Sequence, residues 1–336
     1  MIKKIIMLLS LLALTTVAVS ANDVVLVSDN HADHINALEI ANVINGTVIT
    51  TPWGTYNESV VNEIISLNPD KVIIVGGNLA VVDEYINSLE NASLTVERIG
   101  GATRYETNAN ITLRYQNQFA NRYENATLCI VNGLDDLSLN ETMAQVRDGH
   151  CIVLLSNGTN LSVEPERLNL RTRNVEVIEN PLHKFNNSGV VNRLRNRGFS
   201  VNVQNISEDK AKLMLQHRVQ EIEMKIEMLK NQGVNTTTLE QQLNEAKILM
   251  NQNRYAEAYS VMLQLNGEEM AATVRLHMGG YGRGNGVMMG KGAIPRGKGN
   301  NVNKTSGVMN NNMNRINTTQ IHQNQQNQQG IGYKVN

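Results

Sequence analysis

From Val24 to Val203 the chain alternates short, unbroken apolar runs with amphipathic stretches. The runs Val24–Ser28, Thr47–Thr51, Lys71–Val75, Thr95–Ile99, Thr127–Val131, Cys151–Leu155, Val175–Ile178 and Val201–Val203 predict strands. Val, Ile and Leu in succession, without a polar residue at every second place, belong to strands covered on both faces. Segments between them, such as Val60–Leu67 and Val81–Leu89, carry helical spacing. Strand–helix alternation of this kind predicts α/β architecture built from parallel βαβ units with right-handed crossovers. The region also repeats itself. A shift of about 103 residues lays VVLVS on LCIVN, TVITT on CIVLL and KVIIV on VEVI, so two tandem modules are expected. The second copy lacks the glycine turn of the first, because Ile178-Glu179-Asn180-Pro181 stands where Val75-Gly76-Gly77 would fall.

From Ser207 the period changes. Ser207-Glu208-Asp209 is an N-cap followed by acids in the first turn. Leu215, Val219, Ile222, Ile226 and Leu229 then recur at steps of four and three, and Gly233 stops the helix. Thr237-x-x-Glu240 is a capping box for a second helix carrying Leu239, Leu243, Ala246 and Leu249. A third, short helix is expected around residues 254–265. The pattern fits an antiparallel hairpin that packs on itself, or a coiled coil between chains that makes a homo-oligomer through residues 207–277. After His277 the chain is rich in Gly, Asn, Gln and Met, and a disordered tail is expected.

The N-terminus changes the compartment. Lys3 and Lys4 precede an apolar run ending near Val19-Ser20-Ala21, the layout of a signal peptide cleaved close to residue 21. An uncleaved segment here would be the chain's one expected membrane attachment. The formal net charge of −1 conceals an asymmetry. Residues 270–336 hold eight Lys/Arg and no acid; the 20 basic and 31 acidic residues of 22–269 give −11 there. An acidic body with a cationic tail gives no reason to expect nucleic acid as a partner. The two cysteines, Cys129 and Cys151, are an even count in an exported chain, so a disulfide is permitted. Both lie in apolar runs, and packed free thiols are the equal alternative.

Asparagine is the outstanding bias, at 47 of 336 residues. Asn-x-Ser/Thr occurs at Asn45, Asn57, Asn91, Asn110, Asn125, Asn140, Asn157, Asn160, Asn186, Asn205, Asn235, Asn303 and Asn317. Chance placement gives about five, so N-glycosylation of a surface protein is the preferred reading.

Catalytic chemistry finds little support. Asp29-Asn30-His31-Ala32-Asp33-His34 gathers metal-capable groups, but two histidines in a loop without a third placed ligand read as solvated. Asp135-Asp136 reads as a loop and helix cap. VGGNLA lacks the third glycine of a dinucleotide turn. Trp53 is alone and offers no row of aromatic rings for sugars. No metal, cofactor or catalytic set is expected, and the chain is expected not to be an enzyme.

The run Arg98-Ile99-Gly100-Gly101-Ala102-Thr103-Arg104-Tyr105-Glu106-Thr107-Asn108-Ala109, with Val75-Gly76-Gly77-Asn78-Leu79-Ala80-Val81 before it, resembles the signature of the cell-wall-binding repeat type 2 family. Asp135-Asp136-Leu137-Ser138 echoes that family's helix start in the second copy. Thr103 stands where the family has aspartate, and Asn108 where it has alanine. The resemblance covers about residues 23–206 and implies a non-catalytic protein of the cell surface, which the sequons mark as archaeal, that binds an anionic or glycan envelope polymer and anchors or builds a surface layer. It places Gly76, Gly77, Arg98, Gly100, Gly101, Arg104, Tyr105 and Thr107 either at a polymer contact or at the junction between modules. A secreted hydrolase acting on wall or glycan, and a structural oligomer assembled through its helices, are the rivals. The expected divisions are a signal peptide (1–21), a first module (22–109), a degenerate second module (110–206), the helical segment (207–277) and the tail (278–336).

Overall fold

The computed structural model describes residues 23–122 and 127–281. The signal segment, the tail beyond 281 and Asn125, Asn303 and Asn317 lie outside the described residues. The first module runs β1 (Val24–Ser28), α1 (His31–Ile44), β2 (Thr47–Thr51), α2 (Glu58–Ser66), β3 (Lys71–Val75), α3 (Glu84–Asn91) and β4 (Thr95–Ile99). Helix α4 (Arg104–Arg122) follows. The second module runs β5 (Thr127–Asn132), α5 (Asp136–Arg147), β6 (Cys151–Ser156), β7 (Asn174–Glu179), α6 (Ser188–Asn196) and β8 (Ser200–Asn205). A single 3-10 turn at Pro165–Arg167 replaces the helix between β6 and β7. Helices α7 (Glu208–Asn231), α8 (Thr237–Asn251) and α9 (Tyr255–Tyr281) complete the chain.

Each module is a four-stranded parallel sheet, ordered β2-β1-β3-β4 and β6-β5-β7-β8. In register, Val25 of β1 faces Val48 of β2 on one side and Ile73 of β3 on the other. The apolar runs are covered on both faces, as their composition requires. Val24 and Leu26 of β1 join Ile64 of α2 and Tyr85 and Leu89 of α3. Val25 and Val27 point the other way, toward Ile40 of α1 and Ile111, Tyr115 and Phe119 of α4. That second cluster continues into Leu128, Ile130, Ile152 and Leu154 of the second sheet, so the modules share one core.

The other face of the second sheet, through Val131, Val153 and Leu155, belongs to a cluster with Leu215, Val219 and Ile222 of α7 and Tyr259 of α9. The apolar stripe read from residues 215–229 is therefore buried within the chain, against α8, α9 and the second module. The third helix is much longer than its apolar spacing implied. It runs to Tyr281, taking in the first four residues of the expected tail. Cys129 and Cys151 are joined by a disulfide between β5 and β6.

Candidate functional site

The residues of the Arg98–Thr107 run form a joint. Gly76 ends β3 with φ +109°, a conformation that side chains resist. Its N–H donates to Ile99 O at 3.0 Å, and its carbonyl accepts from Arg98 Nη1 at 3.1 Å. Arg98 Nη2 also reaches Asp83 Oδ1 at 3.1 Å. A Cβ on Gly100 would lie 2.6 Å from Gly76 O, and one on Gly101 2.4 Å from Glu106 Cβ, so both positions require glycine. Thr103 and Glu106 cap α4 reciprocally: Thr103 Oγ1 accepts from Glu106 N–H at 3.2 Å, and Glu106 Oε2 accepts from Ala102 N–H at 2.7 Å. Thr107 Oγ1 accepts from Gly101 N–H at 3.0 Å. Thr103 thus serves as a helix cap.

Arg104 crosses to the second module, donating from Nη1 to Gly133 O at 2.5 Å. Tyr105 packs beside it, so close that a Cβ on Gly133 would sit 2.8 Å from the Tyr105 ring. Both arginines are thus engaged inside the protein, Arg98 on its own turn and Arg104 between modules.

Helix α4 then fastens the edge of the second sheet. Strand β6 is an edge strand, whose unpaired backbone groups need covering. Buried Asn108 donates from Nδ2 to Val153 O at 3.0 Å and accepts from Leu155 N–H at 3.1 Å. Val153 N–H donates to Glu39 Oε1 of α1 at 2.6 Å. Burial pushes the Glu39 carboxyl up to about 8, against the single opposing hydrogen bond from Val153.

The order β2-β1-β3-β4 reverses direction between β1 and β3, and ligands of open α/β sheets bind in the crevice outside the strand ends at such a switch point. In the first module that place is a cavity of about 320 Å³, with walls from Asn30, Asp33, Trp53, the Gly77–Ala80 turn, the Gly101–Thr103 loop, Arg104 and Thr107. Asp33 is 7% exposed, and its Oδ1 has no hydrogen-bond partner. Burial raises its carboxyl to about 6, moderated by the Arg104 charge. Trp53, set aside as a lone ring, is on this wall, and its backbone N–H donates to Asp29 Oδ1 at 3.0 Å.

The Asp29–His34 segment corrects the sequence reading. It is the start of α1, capped by Asn30, whose side chain accepts from Ala32 N–H at 3.0 Å. His31 points into the junction with α7, where burial lowers its pKa. No three His, Cys, Asp or Glu side chains among the described residues converge as a metal site.

The second module fills the corresponding place. Asp135 caps α5 and accepts from Ser138 Oγ at 2.6 Å and from Asn180 Nδ2 at 2.5 Å. Tyr259 of α9 donates its phenol to Asp135 Oδ1 at 2.8 Å. Asp136 next to it is held by Arg218 Nη2 at 3.1 Å and Asn266 Nδ2 at 3.0 Å, from α7 and α9. Arg218 holds the Asp136 carboxyl below its ordinary range despite complete burial, which acts in the opposite direction.

A protein of Methanocaldococcus jannaschii, the uncharacterized protein MJ0755, is 54% identical over 283 residues, 82% of each chain. This chain belongs to the family of that archaeal protein. The amidase enhancer of Bacillus subtilis is 31% identical over 91 residues, 27% of this chain and 13% of that protein. Cwp6 and Cwp8 from Clostridium difficile align with TM-scores of 0.43 and 0.44 at 20% and 16% identity. Those alignments cover 56% and 59% of this chain, and 29% and 33% of theirs. No family model matches, so the cell-wall-binding likeness rests on the Arg98–Thr107 residues and the turn before them.

The sequons segregate from the rest of the asparagines. Asn45, Asn57, Asn91, Asn110, Asn140, Asn157, Asn160, Asn186, Asn205 and Asn235 are all exposed. The buried asparagines, among them Asn30, Asn36, Asn108, Asn132, Asn180 and Asn187, lie outside sequons. Asn36, Glu39, Asn108, Asn180, Arg218 and Tyr259 were missed by sequence reasoning. The available signal was a polar residue on the apolar side of a predicted helix, as with Asn36 and Glu39 among Ile35, Ala37, Ile40 and Ala41.

Proposed function

We propose that this chain is an exported, glycosylated, non-catalytic surface protein that binds envelope polymer or glycan and anchors or builds a surface layer through its first module. The observation that carries this reading is the open crevice of that module, with an unpartnered buried carboxylate on its wall, beside a second crevice closed by the chain itself. The local likeness to a protein named for enhancing an amidase supports an accessory role in the envelope. The exposure of every described sequon and the disulfide support an exported chain. No helix among the described residues is long and apolar enough to cross a membrane.

The crevice supports binding over hydrolysis. Among the described residues its wall holds one carboxylate, whereas glycoside hydrolysis ordinarily uses two facing each other across the bond. The test is co-sedimentation of the full chain with isolated archaeal envelopes, run beside zymography on the same material. Retention without clearing is the expected result. Clearing of the material would establish the hydrolase rival, and absence of retention would remove envelope binding.

A further inference from the structure

The two modules are copies, so the closed crevice serves as a template for the open one. Val72 and Val175 hold matching register positions beside Val24 and Leu128, which places Asn180 where the first module has Gly77. Asn30 and Asp135 are likewise matching N-caps, before α1 and α5. In the second crevice a carboxylate at the helix start takes two donors: the Asn180 amide, and a hydroxyl carried on the flat ring of Tyr259. In the first crevice Gly77 supplies no side chain, the N-cap is Asn30 rather than a carboxylate, and Asp33, three residues further on, has no hydrogen bond to its Oδ1. A buried charged oxygen without a partner forfeits a substantial free energy that a donor from outside would restore.

We infer that the first crevice binds a single uncharged sugar ring, a hexose or N-acetylhexosamine unit, with a ring hydroxyl donating to the Asp33 carboxylate and Trp53 flanking the ring. This assignment rests on the envelope-binding reading and names the subsite and chemical class within it. Four features carry it. The cavity, at about 320 Å³, is at the small end of ligand pockets, which span about 300 to 1,000 Å³. Its buried acceptor selects a hydrogen-bond donor. The sole indole of the chain lies on its wall. Arg104, the one cation among its described lining residues, already donates to Gly133 O, which disfavours an anion as the ligand.

Because Trp53 is the only tryptophan, its emission reports on this cavity alone. The full chain is titrated with glucose, with N-acetylglucosamine and with inorganic phosphate, and the Asp33→Asn variant is titrated in parallel. Asparagine keeps the shape and removes a buried charge, so the variant should fold; its thermal unfolding checks this. The expected result is a saturable emission change with one of the two sugars, none with phosphate, and affinity weakened about tenfold or more in Asp33→Asn. The inference is overturned if neither sugar gives a saturable change, if phosphate alone does, or if Asp33→Asn titrates like the parent chain. Envelope co-sedimentation of the parent chain is a separate readout. Retention with no sugar response removes this subsite while leaving the envelope reading in place.

Discussion

The two switch-point crevices are built on the same plan and put to opposite uses. In the first, the chain turns at Gly76-Gly77, and no hydrogen bond reaches the buried Asp33 Oδ1. In the second, Asn180 occupies the position of Gly77, and Tyr259 arrives from α9 to complete the coordination of Asp135. The second crevice therefore seats the helical bundle through Asp135, while the first keeps a cavity of about 320 Å³. The difference teaches that the degenerate copy is a structural support, and that loss of its glycine turn accompanied this role. It also reassigns the Arg98–Thr107 run, whose arginines hold the turn and the module junction rather than facing outward.

The strongest way to break the supporting half is Arg218→Ala. Arg218 and Asp136 are both almost wholly buried, and removing one partner of such a pair costs about 3–5 kcal/mol. Urea unfolding should show that loss; a cost near zero would mean the bundle is not seated through this pair. Next comes Asn108→Ala, which strips partners from Val153 O and Leu155 N–H. About 3 kcal/mol of destabilisation is expected, measured in the same way. Tyr259→Phe removes one donor from Asp135 and should cost about 2 kcal/mol.

A separate effect is one of pH. Glu39 titrates at about 8 when folded against 4.5 for the free side chain, so the folded state holds its proton more tightly. Its contribution is present in full below about pH 4.5 and is lost as pH rises to about 8. Asp33, raised from 3.8 to about 6, acts in the same direction over a lower range. Unfolding midpoints followed from pH 5 to 8 should fall in the parent chain and fall less in Glu39→Gln. An equal slope in both would place the titration elsewhere.

Much of the scaffold was legible because it is local. β1 to β4 fall on the apolar runs that predicted them, and the repeat announced two sheets. Contacts between distant residues were not legible. Tyr259 meets Asp135 across 124 positions, and Asn108 meets Val153 across 45, with no periodicity connecting either pair. α9 was read too short because apolar spacing fades after Leu265, although Ala272 is still buried in the bundle cluster. Trp53 was discounted as a single ring, since only the fold brings the loop after β2 beside the turn after β3.

The account is tested most directly by comparing Asp33→Asn with Tyr259→Phe in two assays, envelope co-sedimentation and thermal unfolding. Asp33→Asn should lose retention on envelopes and keep or raise its midpoint. Tyr259→Phe should keep retention and lower its midpoint. If both variants lose retention equally, or if Asp33→Asn stays bound while Tyr259→Phe is released, the division between an open binding crevice and a closed supporting one is wrong.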